Sequence, residues 1–152
     1  MPRKDHVRTT PYGERGENMV LINDEMRAVF EKIKVFSVGT ASADGIPNVA
    51  PIGNVRIAGN DEIWLGDNYM KKTLANVRAN PRMALYAYDP DSKRCYQIKG
   101  RVEVRTEGPE YEQMKARMKA KSEAYPAKGL LVLRAEEVYN CYYGPGAGDR
   151  IA

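Results

Sequence analysis

The sequence predicts a mainly β fold, six antiparallel strands closed into a small β-barrel with peripheral helices. Three observations predict it. Apolar runs suited to strands follow one another through tight turns, as at Asp44-Gly45 and Asp89-Pro90-Asp91-Ser92, and such turns join antiparallel neighbours. Residues 96–105 alternate, with Tyr96, Ile98, Gly100, Val102 and Val104 on one face and Gln97, Lys99, Arg101, Glu103 and Arg105 on the other. The element order α, β, β, β, α, β, β, α, β has few helical crossovers, which disfavours a doubly wound parallel sheet. Closing the sheet removes edges that would otherwise stay unpaired.

Residues 1–18 place Pro2, Pro11, Gly13 and Gly16 among charges without any periodicity, so they predict a flexible or loosely docked arm ahead of one domain spanning 19–152. Asn23 is a good helix cap, Asp24 and Glu25 suit the positive end of the helix dipole, and Met26, Val29, Phe30 and Ile33 share one face, so a helix is expected over about 23–34. Val35–Ala41 and Pro47–Ile57 then read as a hairpin about Asp44-Gly45. Glu62–Gly66, which holds the single tryptophan Trp64, is the third strand. Met70, Leu74 and Val77 have helical spacing over 70–80, with Asp67 or Asn68 available as cap and Pro81 closing the segment. Met83–Tyr88 is apolar at both parities and reads as a strand buried on two sides. The alternating strand follows, then an amphipathic helix from Pro109 carrying Tyr111, Met114 and Met118, and a last strand over Leu130–Tyr143.

A chain of 152 residues, 43% hydrophobic and 29% charged, suits one soluble domain with one sizeable core. No apolar run is long enough for a membrane helix, and the N-terminal residues lack the apolar stretch of a secretory signal, so a cytoplasmic location is expected. That location implies reduced thiols. Cys95 and Cys141 stand far apart, offering neither a CxxC pair nor zinc-ligand spacing, and no disulfide or structural metal is expected. The net charge of +4 is compatible with an anionic ligand without demanding one. One histidine, His6, lies in the polar arm and is expected to be solvated, which leaves little room for Ser-His-Asp or Cys-His chemistry.

The segment Gly66-Asp67-Asn68-Tyr69-Met70-Lys71-Lys72-Thr73 carries the strongest chemical signal. It puts two lysines at the start of a helix, where the dipole already supplies about half a positive charge, at a cost of roughly 0.3–1 kcal/mol each. A phosphate resolves the conflict by accepting helix N–H groups, the Thr73 hydroxyl and charge-assisted bonds from Lys71 and Lys72. The plainer alternative is a pair of solvated lysines. Gly144–Asp149 resembles a nucleotide loop only superficially, because too few residues follow it for a helix. Ten tyrosines against two phenylalanines allow an aromatic platform for a base or a flavin, although most tyrosines simply pack with the hydroxyl in water. No carboxylate pair is placed for acid–base work, so an enzyme of this sequence would draw its chemistry from a cofactor.

Over about 19–143 the chain resembles the pyridoxamine 5'-phosphate oxidase-like family of FMN-binding split β-barrels. Three stretches carry the resemblance: Val35–Ala41 with Asp44–Ile52, Lys71–Leu85 with its basic pair, Asn76 and Asn80-Pro81, and Gln97–Glu103. The resemblance implies a homodimer holding two FMN molecules at the subunit interface, and a small molecule or redox protein as electron donor or acceptor. Carried over by position, Asn48, Val49, Ala50 and Pro51 would line the flavin ring and ribityl chain, Gly66 and Asp67 the opposite strand end, and Lys71, Lys72 and Thr73 the phosphate. Gln97, or its neighbour Cys95, would approach from the adjacent strand. The oxidase proper has basic residues on its second strand and an Arg-x-His near its C-terminus; here Asn48 and Gly53 stand on that strand and no C-terminal histidine exists, so vitamin B6 oxidation is not implied. Related barrels bind a deazaflavin or haem; FMN is the first expectation. The functional expectation is a flavin-dependent oxidoreductase, with an FMN-binding electron-transfer or storage protein as alternative. A barrel binding single-stranded nucleic acid through tyrosines and the Lys99-Arg101-Arg105 face ranks third, for want of an aromatic cluster of the RNA-binding type.

Overall fold

The computed structural model describes residues 21–152, so the expected arm and His6 lie outside the described residues. Three helices and seven strands follow in order: α1 (Asp24–Lys32), β1 (Phe36–Ala41), β2 (Pro47–Ile52), β3 (Val55–Ile57), β4 (Glu62–Asp67), α2 (Lys72–Ala79), β5 (Arg82–Asp89), β6 (Arg94–Arg105), α3 (Pro109–Lys121) and β7 (Gly129–Asn140). The strands form one antiparallel sheet in the order β2-β1-β5-β6-β7-β4-β3.

That order corrects the expected count of six. The single strand expected over Pro47–Ile57 breaks at Gly53-Asn54, because β2 pairs with β1 while β3 pairs with β4 at the other edge. Six strand spacings of about 4.8 Å would separate those edges by about 29 Å in a flat sheet. The three Cα steps from Ile52 to Val55 cover at most about 11 Å. The sheet therefore has to curl until its edges approach, which makes a split barrel; the backbone N–H of Gly66 donates to the Asn54 carbonyl at 2.8 Å on the β3 side of the split.

Two hydrophobic clusters lie on opposite faces of the curled sheet. Inside, Phe36, Val38, Ile63, Leu65, Leu85, Ile98, Leu131 and Leu133 meet Met26, Val29 and Phe30 of α1 and Val77 of α2. Outside, Met114 and Met118 of α3 cover Trp64, Leu130 and Val132. Thus β4 and β7 are buried on both faces, at residues 63–67 and 129–133. β5 was expected to be so and is not: its burial alternates, and Tyr86 and Tyr88 are exposed, because among the described residues no helix packs on its outer face.

Local signals account for the helix starts. Asn23 Oδ1 accepts the Met26 N–H at 2.9 Å at the head of α1. α3 starts at Pro109 behind Gly108, whose φ of 96° favours glycine. α2 is two residues shorter at its head than the expected 70–80, because Asp67 accepts the Met70 N–H at 2.9 Å and so caps a turn before the helix begins.

The cysteines depart from expectation. Cys95 and Cys141 are joined in a disulfide with Cα atoms 5.0 Å apart, and the Cys141 N–H donates to the Cys95 carbonyl at 2.9 Å. Antiparallel pairing sets Tyr96 opposite Asn140, which brings two residues separated by 46 positions face to face. The chain then turns back through Gly144–Asp149, and residues 149–152 bond to Val138 and Asn140, beyond the end of β4. Among the described residues no helix is long and apolar enough to cross a membrane.

Candidate functional site

A groove of about 500 Å³ opens where β2, the end of β4, the 68–71 loop and the start of α2 converge. Asn48, Val49, Ala50 and Pro51 form one wall, and Gly66, Lys71, Lys72 and Thr73 stand across from them. Eight of the ten residues singled out in the sequence are thus brought together by the curl of the sheet.

The head of α2 is electrostatically unbalanced. Lys71 occupies the N-cap position, no side chain caps the helix, and its first turn contains no acid. The leading N–H groups of an α-helix have no partner within the helix. Lys71 and Lys72 are exposed, and neither makes an ion pair among the described residues. Dipole and side chains therefore add to one positive field at the end of the groove.

Four side-chain hydrogen bonds hold α2 and the loops around its start in place. Asn76 Nδ2 donates to Thr40 Oγ1 at 3.1 Å and Asn80 Nδ2 to the Ala41 carbonyl at 3.4 Å, tying α2 to β1. Asn68 Oδ1 accepts the Ala127 N–H at 2.9 Å. Lys128 Nζ donates to the Met70 carbonyl at 3.0 Å and lies 3.6 Å from Asp67. Asp67 is therefore a buried residue that shapes the loop, and it does not line the groove.

Gln97 also stands apart. It pairs across the sheet with Tyr86 and Tyr139, three strands from β2 or about 14 Å at ordinary strand spacing. Cys95, its suggested alternative, is tied into the disulfide. Gly66 borders the groove, but a Cβ there would meet Met118 Sδ at 2.5 Å, so its missing side chain accommodates α3.

Asn54, Tyr69 and Tyr125 line the groove and were not singled out. Tyr69 lay within the segment already marked as chemically unusual. Tyr125 had no local signal, since it enters from the connection between α3 and β7. A second groove of about 680 Å³, on the outer face of β1, β2, β5, β6 and β7, shares Asn48 and Val49 with the first. Its Arg82 is paired with Glu136 at 3.0 Å, so that cation is already neutralised.

The chain is 34% identical over 139 residues to the uncharacterized protein MJ0282 of Methanocaldococcus jannaschii, covering 90% of this chain and 92% of that one. Its fold is similar to that of HupZ from Group A Streptococcus, with a TM-score of 0.74, 25% identity and coverage of 84% and 100% of the two chains. It is also similar to an FMN-binding protein from Syntrophomonas wolfei, with a TM-score of 0.63, 19% identity and coverage of 78% and 84%. The family model described as pyridoxamine 5'-phosphate oxidase matches residues 22–142, which takes in every strand and all three helices. With the split-barrel topology and that match together, the chain belongs to the pyridoxamine 5'-phosphate oxidase-like family.

Proposed function

We propose that the protein binds FMN in the groove between β2 and the head of α2 and serves as a flavin-dependent oxidoreductase. The carrying observation is the uncapped, acid-free start of α2 at the end of a ligand-sized groove, with two lysines that make no ion pair among the described residues. Lys71, Lys72 and the α2 N–H groups would hold the phosphate, with Thr73 beside them. Asn48, Val49, Ala50 and Pro51 would lie along the ring and ribityl chain, and Tyr125 would close one side. Bound FMN would supply hydride or single-electron exchange, while the chain's own groups position it and exclude water.

In this reading the protein acts as a homodimer. β2 lies at a sheet edge and Val49 is 73% exposed, so a single chain leaves that wall of the groove open. The exposed Tyr86 and Tyr88 on the outer face of β5 supply further surface for a second copy. The redox partner would be a small two-electron donor or a redox protein reaching the open face. An electron carrier or FMN store uses the same site and differs only in lacking turnover.

Nucleic-acid binding finds less support. Arg101 lies 3.7 Å from Glu136, Arg105 pairs with Glu103 and Glu110, and Lys99 sits over the Tyr139 ring, so the proposed basic face is already internally engaged.

Titration with FMN and with riboflavin tests the assignment. FMN is expected to bind more tightly, and Lys71→Ala combined with Lys72→Ala is expected to weaken FMN at least tenfold, given roughly 1.5–3 kcal/mol for each charge-assisted bond. Unchanged affinity in the double variant overturns it. The absorption spectrum separates flavin from haem, and sedimentation with FMN present should show a dimer.

A further inference from the structure

A separate cavity of about 580 Å³ lies between α1, β3 and α3. It shares only Gly53 with the groove assigned to FMN. Five cations line it, Arg27, Lys34, Arg56, Arg117 and Lys121, against one carboxylate, Glu31. None of the five makes an ion pair among the described residues, whereas Lys32, Arg82, Arg94, Arg101, Arg105, Lys128, Arg134 and Arg150 all do. Five cations without an ion pair among the described residues thus surround one concavity that holds a single carboxylate.

Three of the five are held in place by uncharged partners. Arg27 donates to the Gly59 carbonyl at 3.0 Å, Lys121 to Asn54 Oδ1 at 3.3 Å, and the Arg56 guanidinium lies 5.5 Å from the centre of the Trp64 ring. These contacts restrict the side chains and leave their charge uncompensated. Ile33, Val55 and Ile57 supply an apolar floor between them.

We propose that this cavity is a second ligand site, for a nucleotide bearing two or more phosphates. Four net positive charges, from the five cations and Glu31, call for a polyanion, since one phosphate monoester brings at most two negative charges. The apolar floor calls for an organic body joined to it, and the volume lies within the ordinary range for small-molecule sites. Guanidinium groups suit the phosphates because they can donate two parallel hydrogen bonds to one of them. The assignment is independent of FMN, because the cations of the two sites are different residues.

Calorimetric titration of the full chain with ATP, pyrophosphate and adenosine tests it, with and without saturating FMN. ATP is expected to bind most tightly, pyrophosphate more weakly, and adenosine least. Lys34 and Arg117 are exposed and make no hydrogen bond or ion pair among the described residues, so Lys34→Gln with Arg117→Gln should fold normally. That variant should weaken ATP at least tenfold, and Glu31→Gln should tighten it. ATP affinity unchanged in the double variant overturns the proposal, as does pyrophosphate binding as tightly as ATP. An oligonucleotide that displaces ATP and binds far more tightly also overturns it, by making the cavity part of a nucleic-acid surface. If Lys71→Ala with Lys72→Ala weakens ATP as much as FMN, the second site does not exist.

Discussion

Asn76 on α2 donates its side-chain amide to the hydroxyl of Thr40 on β1 at 3.1 Å, and Thr40 is itself buried. Through this bond the helix that starts with Lys72 is registered against the hairpin whose second strand carries Asn48–Pro51. One side chain therefore couples the two walls of the candidate site. The same helix is tied a turn later by Asn80 to the Ala41 carbonyl.

Asn76→Ala is expected to lower stability by about 1 kcal/mol, the usual net worth of one such bond, with more if Thr40 is left unpaired. It should also weaken FMN, because the phosphate-binding end of α2 loses its registration. Denaturant unfolding and FMN titration of the same variant check both. Loss of stability with unaltered FMN affinity would separate the helix tether from the site.

Gly100 sits at the bulge between β6 and β7, where an added Cβ would run into the Arg134 carbonyl. Gly100→Ala is expected to cost about 3 kcal/mol, since the obstacle is backbone and cannot rotate away. Gly45 provides the contrast. It turns the first hairpin with φ of 84° and has open space where a Cβ would lie, so Gly45→Ala should cost only about 1 kcal/mol. Comparable unfolding midpoints for the two variants would refute the steric account.

Asp89 ties the β5–β6 turn to α1. The Ser92 hydroxyl, donating to it at 2.6 Å, holds its carboxyl below the ordinary value of 3.8; burial opposes this, and Lys32 and the Asp91 N–H add to the lowering. A carboxylate favoured in the fold contributes stability above its unfolded value, and loses that contribution as pH falls through the lower folded value. Asp89→Asn should therefore be less stable than wild type near neutral pH, with the gap narrowing below pH 3.8. A gap that stays constant down to acid unfolding would remove the ionised carboxylate from the explanation.

The Cys95–Cys141 bridge joins residues 46 positions apart and closes a loop containing most of β6 and all of α3 and β7. Its reduction, or Cys95→Ser with Cys141→Ser, should lower stability by about 2–4 kcal/mol through added freedom in the unfolded chain. Thiol titration under denaturing conditions, before and after reduction, should count none and then two. Two free thiols without reductant would rule the bridge out.

What the sequence by itself determined is local. Asn23, Asp44-Gly45, Pro81 and Pro109 act on neighbours a few residues away, so the helices and turns they bound were readable, as was the alternation of residues 96–105. The mainly β antiparallel class followed from those signals, and so did the conflict between the Lys71-Lys72 pair and a helix start. Tertiary structure decided whatever depends on which strands become neighbours. It split Pro47–Ile57 into β2 and β3, because each half pairs at a different edge and only a curled sheet lets two residues bridge them. It moved two-sided burial from β5 to β4 and β7, because α3 packs over Trp64, Leu130 and Val132. It set Cys95 against Cys141, brought Tyr125 to the groove that Lys72 lines, and left Gln97 three strands from Pro51. Each of these contacts joins residues far apart in the chain. Periodicity and capping carry no information about such pairs, because their energies arise only once the sheet has closed.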